Sequence, residues 1–505
     1  MFHHAKWDLA EFHKEGVEWP DFEDTILKAH LLGHHPLGLK ALMPIFTGVE
    51  QAAFKDVVGT GKKAVLMDTI ASRVWDYCSL DAWGAFKLNE RFTMPPRLQP
   101  LYEQEKQITR ILMDMEAAGL PLDQDKLRTG RRLVLKRMAQ LEEQLRSVGI
   151  EELTKATAIG QRFWKGKPKK VTTKSGELST AAAVLLANAT VEQQPWVQAF
   201  IEWRQLSHFE GTYLAAWKGQ DTLHPSLNQT GTMTWRFSSS DPNLQNIPKS
   251  KLVSLYNLFV APEGQVFVSA DYSQLQLRIL ANLTGDATMR GAYHSGRDLH
   301  QETHDILTQT GLFTRLGIDH HDQQRTIAKN TNFGIAFGQT AYGLAPRIQV
   351  TQDEAQEFID AFYAAYPTAK PWQQAQISFA EEHGYVETFK GRPLYVPCIL
   401  AERGKLRYHG EKQAMCDPIQ GGEAEIVKDG MLRASQYLRF QVHDELLYLV
   451  PENEAKEYAH FLDETLTDRR HDVPYTVKVS TGKTWGAIKS LDDLWDETLD
   501  TDPEE

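Results

Sequence analysis

The chain has 505 residues, 42% of them hydrophobic and 24% charged, with a formal net charge of −12. That length and balance describe a globular protein of several domains and exclude a disordered or low-complexity chain. The cysteines, Cys78, Cys398 and Cys416, are too widely spaced for a disulfide framework or a zinc site, and no run approaches the roughly 18 apolar residues that span a bilayer.

The start, Met1-Phe-His-His-Ala-Lys-Trp-Asp8, has no signal-peptide core, so the expectation is a soluble, cytoplasmic protein with no membrane partner. Residues 1 to about 97 are punctuated by Gly and Pro, and Pro95-Pro96 reads as a linker. Leu101, Ile108, Ile111, Leu112 and Met115 recur at helical spacing, up to a helix-ending Gly119 followed by Pro121. Asp123 to Val148 reads as a charged helix, Lys165 to Gly176 as a basic loop, and Pro195 to Trp217 as a further helix. Lys126 to Lys174 carries fourteen Lys or Arg against four Asp or Glu, while Leu491 to Glu505 carries eight acids and no base. A net acidic chain can therefore still track a phosphate backbone with one region.

From Leu223 the texture turns to polar loops and short strands, with Ser238-Ser-Ser-Asp-Pro242 as a turn. Val266 to Ala270 reads as a strand, and a helix follows Ser273. Helices dominate Leu299 to Glu382, and strands return at Tyr385 to Phe389 and Leu394 to Val396. Lys412 to Tyr437 reads as a helix with a turn at Pro418, and Phe440 to Val450 as a strand pair around His443-Asp444. The pattern is that of a multi-domain α+β protein.

Two segments deliver a carboxylate at the end of a strand: Asp271 after Val266-Phe-Val-Ser-Ala, and Asp444 in Phe440-Gln-Val-His443-Asp444-Glu445. Alone, Asp271 reads equally as a helix N-cap and Asp444 as a hairpin-turn residue. Together, two Asp can share two divalent ions about 4 Å apart. Between them, Arg325, Lys329, Phe333 and Phe337 recur every four residues and share one broad helical face. Its cations suit a triphosphate and its rings suit a base. His34-His35 and His320-His321 lack further clustered ligands and are not read as metal sites.

The wording of these segments resembles the family A DNA polymerases. Asp271-Tyr-Ser-Gln-Leu-Gln-Leu-Arg278 is similar to the family motif DYSQIELR, and Arg325 through Gly338 to its nucleotide-binding helix. Gln441-Val-His-Asp-Glu445 matches its third motif, and Thr234-Trp-Arg236 through Asn243-Leu-Gln245-Asn246-Ile-Pro248 resembles its template–primer segment. The similarity covers essentially residues 100–490. It implies an α+β right hand with a thumb at 98–220, a palm at 221–290 and 395–505, and fingers at 291–394. The C-terminal stretch would be an acidic tail.

The implied activity is DNA-templated addition of deoxynucleotides to a primer. Its cofactor would be two Mg2+ ions, with Mn2+ able to substitute. The resemblance assigns the metals to Asp271, Asp444 and the carbonyl of Tyr272, and catalysis to these acids and Lys329. Gln274, Gln276, His300, Arg325, Lys329, Phe333 and Phe337 would meet the nucleotide. Arg236, Asn243, Gln245, Asn246, Gln420 and His443 would meet primer–template DNA. Further partners would be replication accessory proteins or a separate exonuclease fragment, and the chain would be a monomer. Its compactness would suit a phage, acting then in the host cytoplasm. The alternative is a catalytically silent relative that only binds primer–template DNA. The retained Asp271, Asp444, Arg325 and Lys329 speak against it.

Some positions depart from the family. Gln276 stands for the usual Glu and Phe337 for a common Tyr, so the polar pair that walls off the sugar 2′ position is lost. The expectation is a Gln276 side chain held less firmly. Trp235 replaces a Gly, Cys416 an Asn and Lys412 an Arg. At the N-terminus, Phe2-His-His4 through Asp8 and Tyr77 through Asp81 resemble the second and third motifs of a proofreading exonuclease. No first motif precedes them, and Asp21-Phe-Glu23 comes in the wrong order. Residues 1–97 therefore read as a truncated, ribonuclease-H-like exonuclease domain without proofreading.

Overall fold

The computed structural model describes residues 1–59, 71–167 and 170–490; the acidic C-terminal stretch and part of the basic loop lie outside them. The first hundred residues fold as helices α1 (Ala5–Lys14), α2 (Thr25–Leu31), α3 (Leu39–Thr47), α4 (Phe54–Val58) and α5 (Ala71–Arg91). One parallel bridge joins Phe2 to Asp24, and no strand of a ribonuclease-H-like sheet occurs among the described residues of this segment. Asp24 caps α2 through the Ile26 amide and also accepts from the amides of His4 and Ala5, locking α1 to α2.

The next unit holds α6 (Gln99–Ala118), β1 (Leu120–Pro121), α7 (Gln124–Ser147), α8 (Ala156–Trp164), α9 (Ala182–Asn188) and α10 (Gln194–Phe209). α7 starts where the sequence places it, because the Asp123 carboxylate accepts from the amides of Asp125 and Lys126 at 2.9 Å. α10 runs into a π-helical turn, Glu210–Leu214, so the helix read to Trp217 changes character at its end.

Short strands follow: β2 (Thr222–Leu223), β3 (Ser226–Asn228) and β4 (Ser238–Ser240). The expected turn at Ser238–Pro242 is corrected here. Ser238, Ser239 and Ser240 pair with Asn228, Leu227 and Ser226, and the chain turns only afterwards.

After β5 (Gln265–Tyr272) come helices α11 (Leu275–Thr284), α12 (Ala287–His294), α13 (Leu299–Gln309), α14 (Leu312–Arg315) and α15 (His321–Ala336). Three more follow: α16 (Ala341–Ile348), α17 (Gln352–Ala365) and α18 (Ala369–His383). The hairpin β6 (Tyr385–Glu387) and β7 (Pro393–Tyr395) leads to α19 (Lys405–Arg433), then β8 (Leu438–Val442), β9 (Glu445–Pro451), α20 (Ala455–Leu466), β10 (Val477–Gly482) and β11 (Lys489–Ser490).

The expected break at Pro418 does not occur; α19, 29 residues in all, continues through it and ends before Tyr437. A proline inside a helix costs about 3 kcal/mol. Here Ala414, Ile419, Ile426, Val427 and Met431 are buried along the helix, and that packing outweighs the lost hydrogen bond. Gly421 lets the β6–β7 hairpin lie close, since a Cβ there would stand 2.7 Å from Leu394 Cδ1.

The main sheet is antiparallel, in the order β11-β10-β5-β9-β8. Phe267, Val268, Ala270, Leu446, Leu447, Tyr448 and Val450 are fully buried. Burial on both faces explains the nearly continuous apolar runs of β5 and β9.

Candidate active site

The apolar run of β5 breaks at Asp271, which is exposed. Antiparallel register sets Asp271 opposite Glu445 on one side and Lys478 on the other. Val442 pairs with Glu445, so His443 and Asp444 form a two-residue loop between β8 and β9. His443 is exposed and left-handed, with φ 54°, which suits a tight hairpin turn. The Tyr272 amide donates to the Asp444 carbonyl oxygen at 3.2 Å. Sheet register therefore brings together the two acids read from distant segments.

Both acids are short of compensating charge. Withdrawal from water, then the charge of Glu445, pushes the Asp271 carboxyl up to about 6, with Lys478 pulling the other way. Asp271 keeps solvent-accessible surface, but the walls around it reduce its hydration. Burial, then Glu423 and Asp271, pushes Asp444 up to about 7. Neither makes an ion pair among the described residues. Glu445 is engaged elsewhere, accepting from Ser269 Oγ at 2.6 Å and Trp485 Nε1 at 3.1 Å.

No group of three or more His, Cys, Asp or Glu is arranged as a metal cage among the described residues. Two neighbouring carboxylates that make no ion pair still fit Mg2+, which keeps several waters and takes its remaining ligands from phosphates.

The cationic helix is α15. Arg325 donates to Asp298 Oδ2 at 2.5 Å and to Gln301 Oε1 at 2.9 Å, while Lys329 is exposed. Asp298 also caps α13 through the His300 amide at 2.8 Å and accepts from Gln274 Nε2 at 2.7 Å. Burial works against its charge, but Arg325 and these hydrogen bonds hold it below the usual carboxylate range. One carboxylate thus ties the segment after β5 to α15. Sequence reasoning assigned Asp298 no role; its signal was an Asp two residues before His300, in N-cap position.

Burial lowers His300 to about 4, with Lys329 and Arg325 adding to the effect and Asp298 opposing it. The ring is therefore neutral. Asn332 Nδ2 lies 3.1 Å from its Nδ1, which places the ring proton on Nε2. Phe337 falls one residue past the end of α15, in the turn, and so leaves the helical face on which it was read. Phe333 is on α15, and its side chain lies outside the described residues.

The expectation that Gln276 is held loosely is overturned. Its Nε2 donates to Glu423 Oε2 at 2.5 Å, and the same oxygen accepts from Arg236. Glu423, on α19, was missed, because its partners are contributed by distant segments.

Asn243 and Asn246 are exposed and Gln420 is half-buried. Gln245 is buried, with its Nε2 donating to Gln441 Oε1 at 2.9 Å, so it braces the strand leading to His443. Trp235 is buried at a left-handed φ of 62°, a conformation that favours glycine. It stacks on His30 at 4.2 Å and lies under Arg392 and Lys428.

Asp8 lies within electrostatic range of Asp81 and of the buried Asp24. Burial and then the charge of Asp81 raise Asp8, and Asp81 Oδ1 is buried without a hydrogen-bond partner. Tyr77 is bound to Lys40 through its hydroxyl.

The family model for DNA polymerase family A matches residues 124–487. The chain is 30% identical to DNA polymerase I of Chloroflexus aurantiacus over 97% of its length and 55% of that protein. It is 35% identical to the thermostable DNA polymerase I of Thermus thermophilus over 80% of this chain and 50% of the relative. It thus spans about half the length of these curated relatives. The POL domain of Pol1 from M. smegmatis, solved in complex with DNA primer-template and dNTP, superposes with a TM-score of 0.81 at 25% identity. That match covers 96% of this chain and 86% of the other. With its motifs gathered on one sheet and one helix, the chain has the α+β right-hand polymerase fold and belongs to DNA polymerase family A.

Proposed function

We propose that the chain is a DNA-templated DNA polymerase, extending a primer 3′ end with deoxynucleoside triphosphates. The observation that carries this reading is the register of β5 with the β8–β9 hairpin, which sets Asp271 beside Asp444, the carboxyls of both held well above the usual range despite Lys478 and Arg236 nearby. Asp271, Asp444 and the Tyr272 carbonyl would hold two Mg2+ ions, which stabilise the attacking and leaving oxygens in phosphoryl transfer.

Around that centre the chain's own groups orient the substrates. Arg325 and Lys329 bind the triphosphate, and Lys329 gives a proton to the leaving pyrophosphate. His300, neutral, donates a hydrogen bond from Nε2. Arg236, Gln420 and His443 line the primer terminus. We read 98–220 as the thumb, 221–290 with 395–505 as the palm, and 291–394 as the fingers. Proofreading is absent in this reading.

Primer extension with a labelled primer carrying a 3′ mismatch tests both parts. The protein should extend a matched primer with Mg2+ and leave the mismatched terminus unexcised. Asp271→Ala and Asp444→Ala should each lower extension by more than about a thousandfold while keeping DNA affinity. Near-normal extension by either variant would overturn the metal assignment, and excision lost in Asp81→Ala would overturn the absence of proofreading.

A further inference from the structure

We propose that Glu423 is the positioning residue for sugar selection in this chain, anchoring Gln276 and Arg236 as one unit. The inference rests on the polymerase reading and deepens it. Glu423 is 1% exposed, and one of its oxygens takes both the Gln276 amide and the Arg236 guanidinium. A buried carboxylate is costly unless it is paired and hydrogen-bonded, so both contacts are strongly favoured. Arg236 is 27% exposed and Gln276 half-buried, so each keeps accessible surface while Glu423 holds it from behind.

Residue 276 lacks the carboxylate, and residue 337 the phenol, with which relatives pair these two positions. Here the charge comes instead from α19, 147 residues along the chain. A Gln side chain tethered by a charge-assisted hydrogen bond keeps one rotamer. Its bulk is then held in place against a 2′-hydroxyl. Asp417, also buried within reach of the Arg236 charge, has an Oδ2 with no hydrogen-bond partner.

The test is single-turnover incorporation of matched deoxy- and ribonucleotides by the full chain. Glu423→Gln should reduce the deoxy-over-ribo preference by about tenfold, the size expected for one lost charge-assisted hydrogen bond. Gln276→Met, which keeps bulk but loses the amide donor, should do the same without disturbing the buried acid. Adding Glu423→Gln to Gln276→Met should produce no further loss. The paired change Glu423→Gln with Gln276→Glu, which moves the acid across the contact, should restore most of the preference.

A wild-type preference in Gln276→Met, or losses that multiply in the double variant, would overturn the proposal. Melting curves identify any variant that fails to fold, and Gln276→Met decides the matter if Glu423→Gln does. Wild-type protein that incorporates no nucleotide would overturn the polymerase reading itself, a result distinct from incorporation with unaltered selectivity.

Discussion

Asp444 shows how the proposed metal-holding role is set against stability at a single residue. Its carboxyl is held at about 7, against 3.8 for an unperturbed Asp, first by burial and then by the charges of Glu423 and Asp271. A raised carboxyl value means that ionisation costs more in the folded state. The metal-free protein is therefore most stable below about pH 4 as far as this group is concerned, and loses stability as pH rises from about 4 through about 7. Asp444→Asn should stabilise the metal-free protein at pH 8 by roughly 1–2 kcal/mol, after allowance for the solvent the group still meets. The gain should shrink towards pH 4. Mg2+ should raise the wild-type melting temperature and leave the variant unmoved. Thermal melts in chelator and in Mg2+, at pH 5 and pH 8, check each part; a variant less stable than wild type at pH 8 would remove the proposed strain.

At the scale of elements, α6 and α19 are joined by buried ions. Lys428 Nζ donates to both oxygens of Glu105 at 2.8 Å, Arg392 pairs with Glu105 and Glu425, and all four are essentially unexposed. Burial opposes the charge of Glu105, yet Lys428 and Arg392 together hold it below the ordinary range. Removing that one acid strands Lys428 and leaves Arg392 with Glu425 alone. Glu105→Gln should cost about 3–5 kcal/mol in chemical denaturation, and replacing Lys428 by Met should cost a similar amount. A loss under about 1 kcal/mol would mean that the network relaxes or admits water.

These elements also mark what was legible in the sequence. The ends of β5 and β8 were readable because a polar break interrupts an apolar run, and such breaks are local. α15 was readable from its four-residue repeat, apart from Phe337, which the repeat carried one position past the helix. Pro418 misled because proline reports only the lost donor, while the compensating burial of α19 comes from other segments. Glu423 and Asp298 acquire their roles through residues distant in the chain, which no local pattern announces.

For the whole molecule, the N-terminal helices are not a separate body behind the Pro95-Pro96 pair. Ile26, Leu27 and Leu31 of α2 share one core with Leu101, Tyr102, Trp235, Val386 and Leu394. The Asp24 amide donates to the Tyr102 hydroxyl at 2.8 Å, and Lys6 Nζ donates to the Leu227 carbonyl at 2.6 Å. A shortened chain beginning at Leu98 would uncover Trp235, Leu101 and Tyr102. It should melt at a lower temperature than the full chain and scatter light on heating, as newly exposed apolar surface associates. Equal melting temperatures would show the two parts to be independent. Among the described residues no helix is long and apolar enough to cross a membrane.

The pairing of Asp271 with Glu445, one residue from Asp444, has an evolutionary consequence. Side chains alternate faces along a strand, so an insertion or deletion of a single residue within 265–272 or 438–451 would turn one acid away from the other. Letters in these strands can drift, but a change of length must be absorbed by a bulge, as the register shift between Leu438 and Phe440 already shows. Descendants of this gene should therefore collect their insertions and deletions in the connecting loops and leave these two stretches unchanged in length.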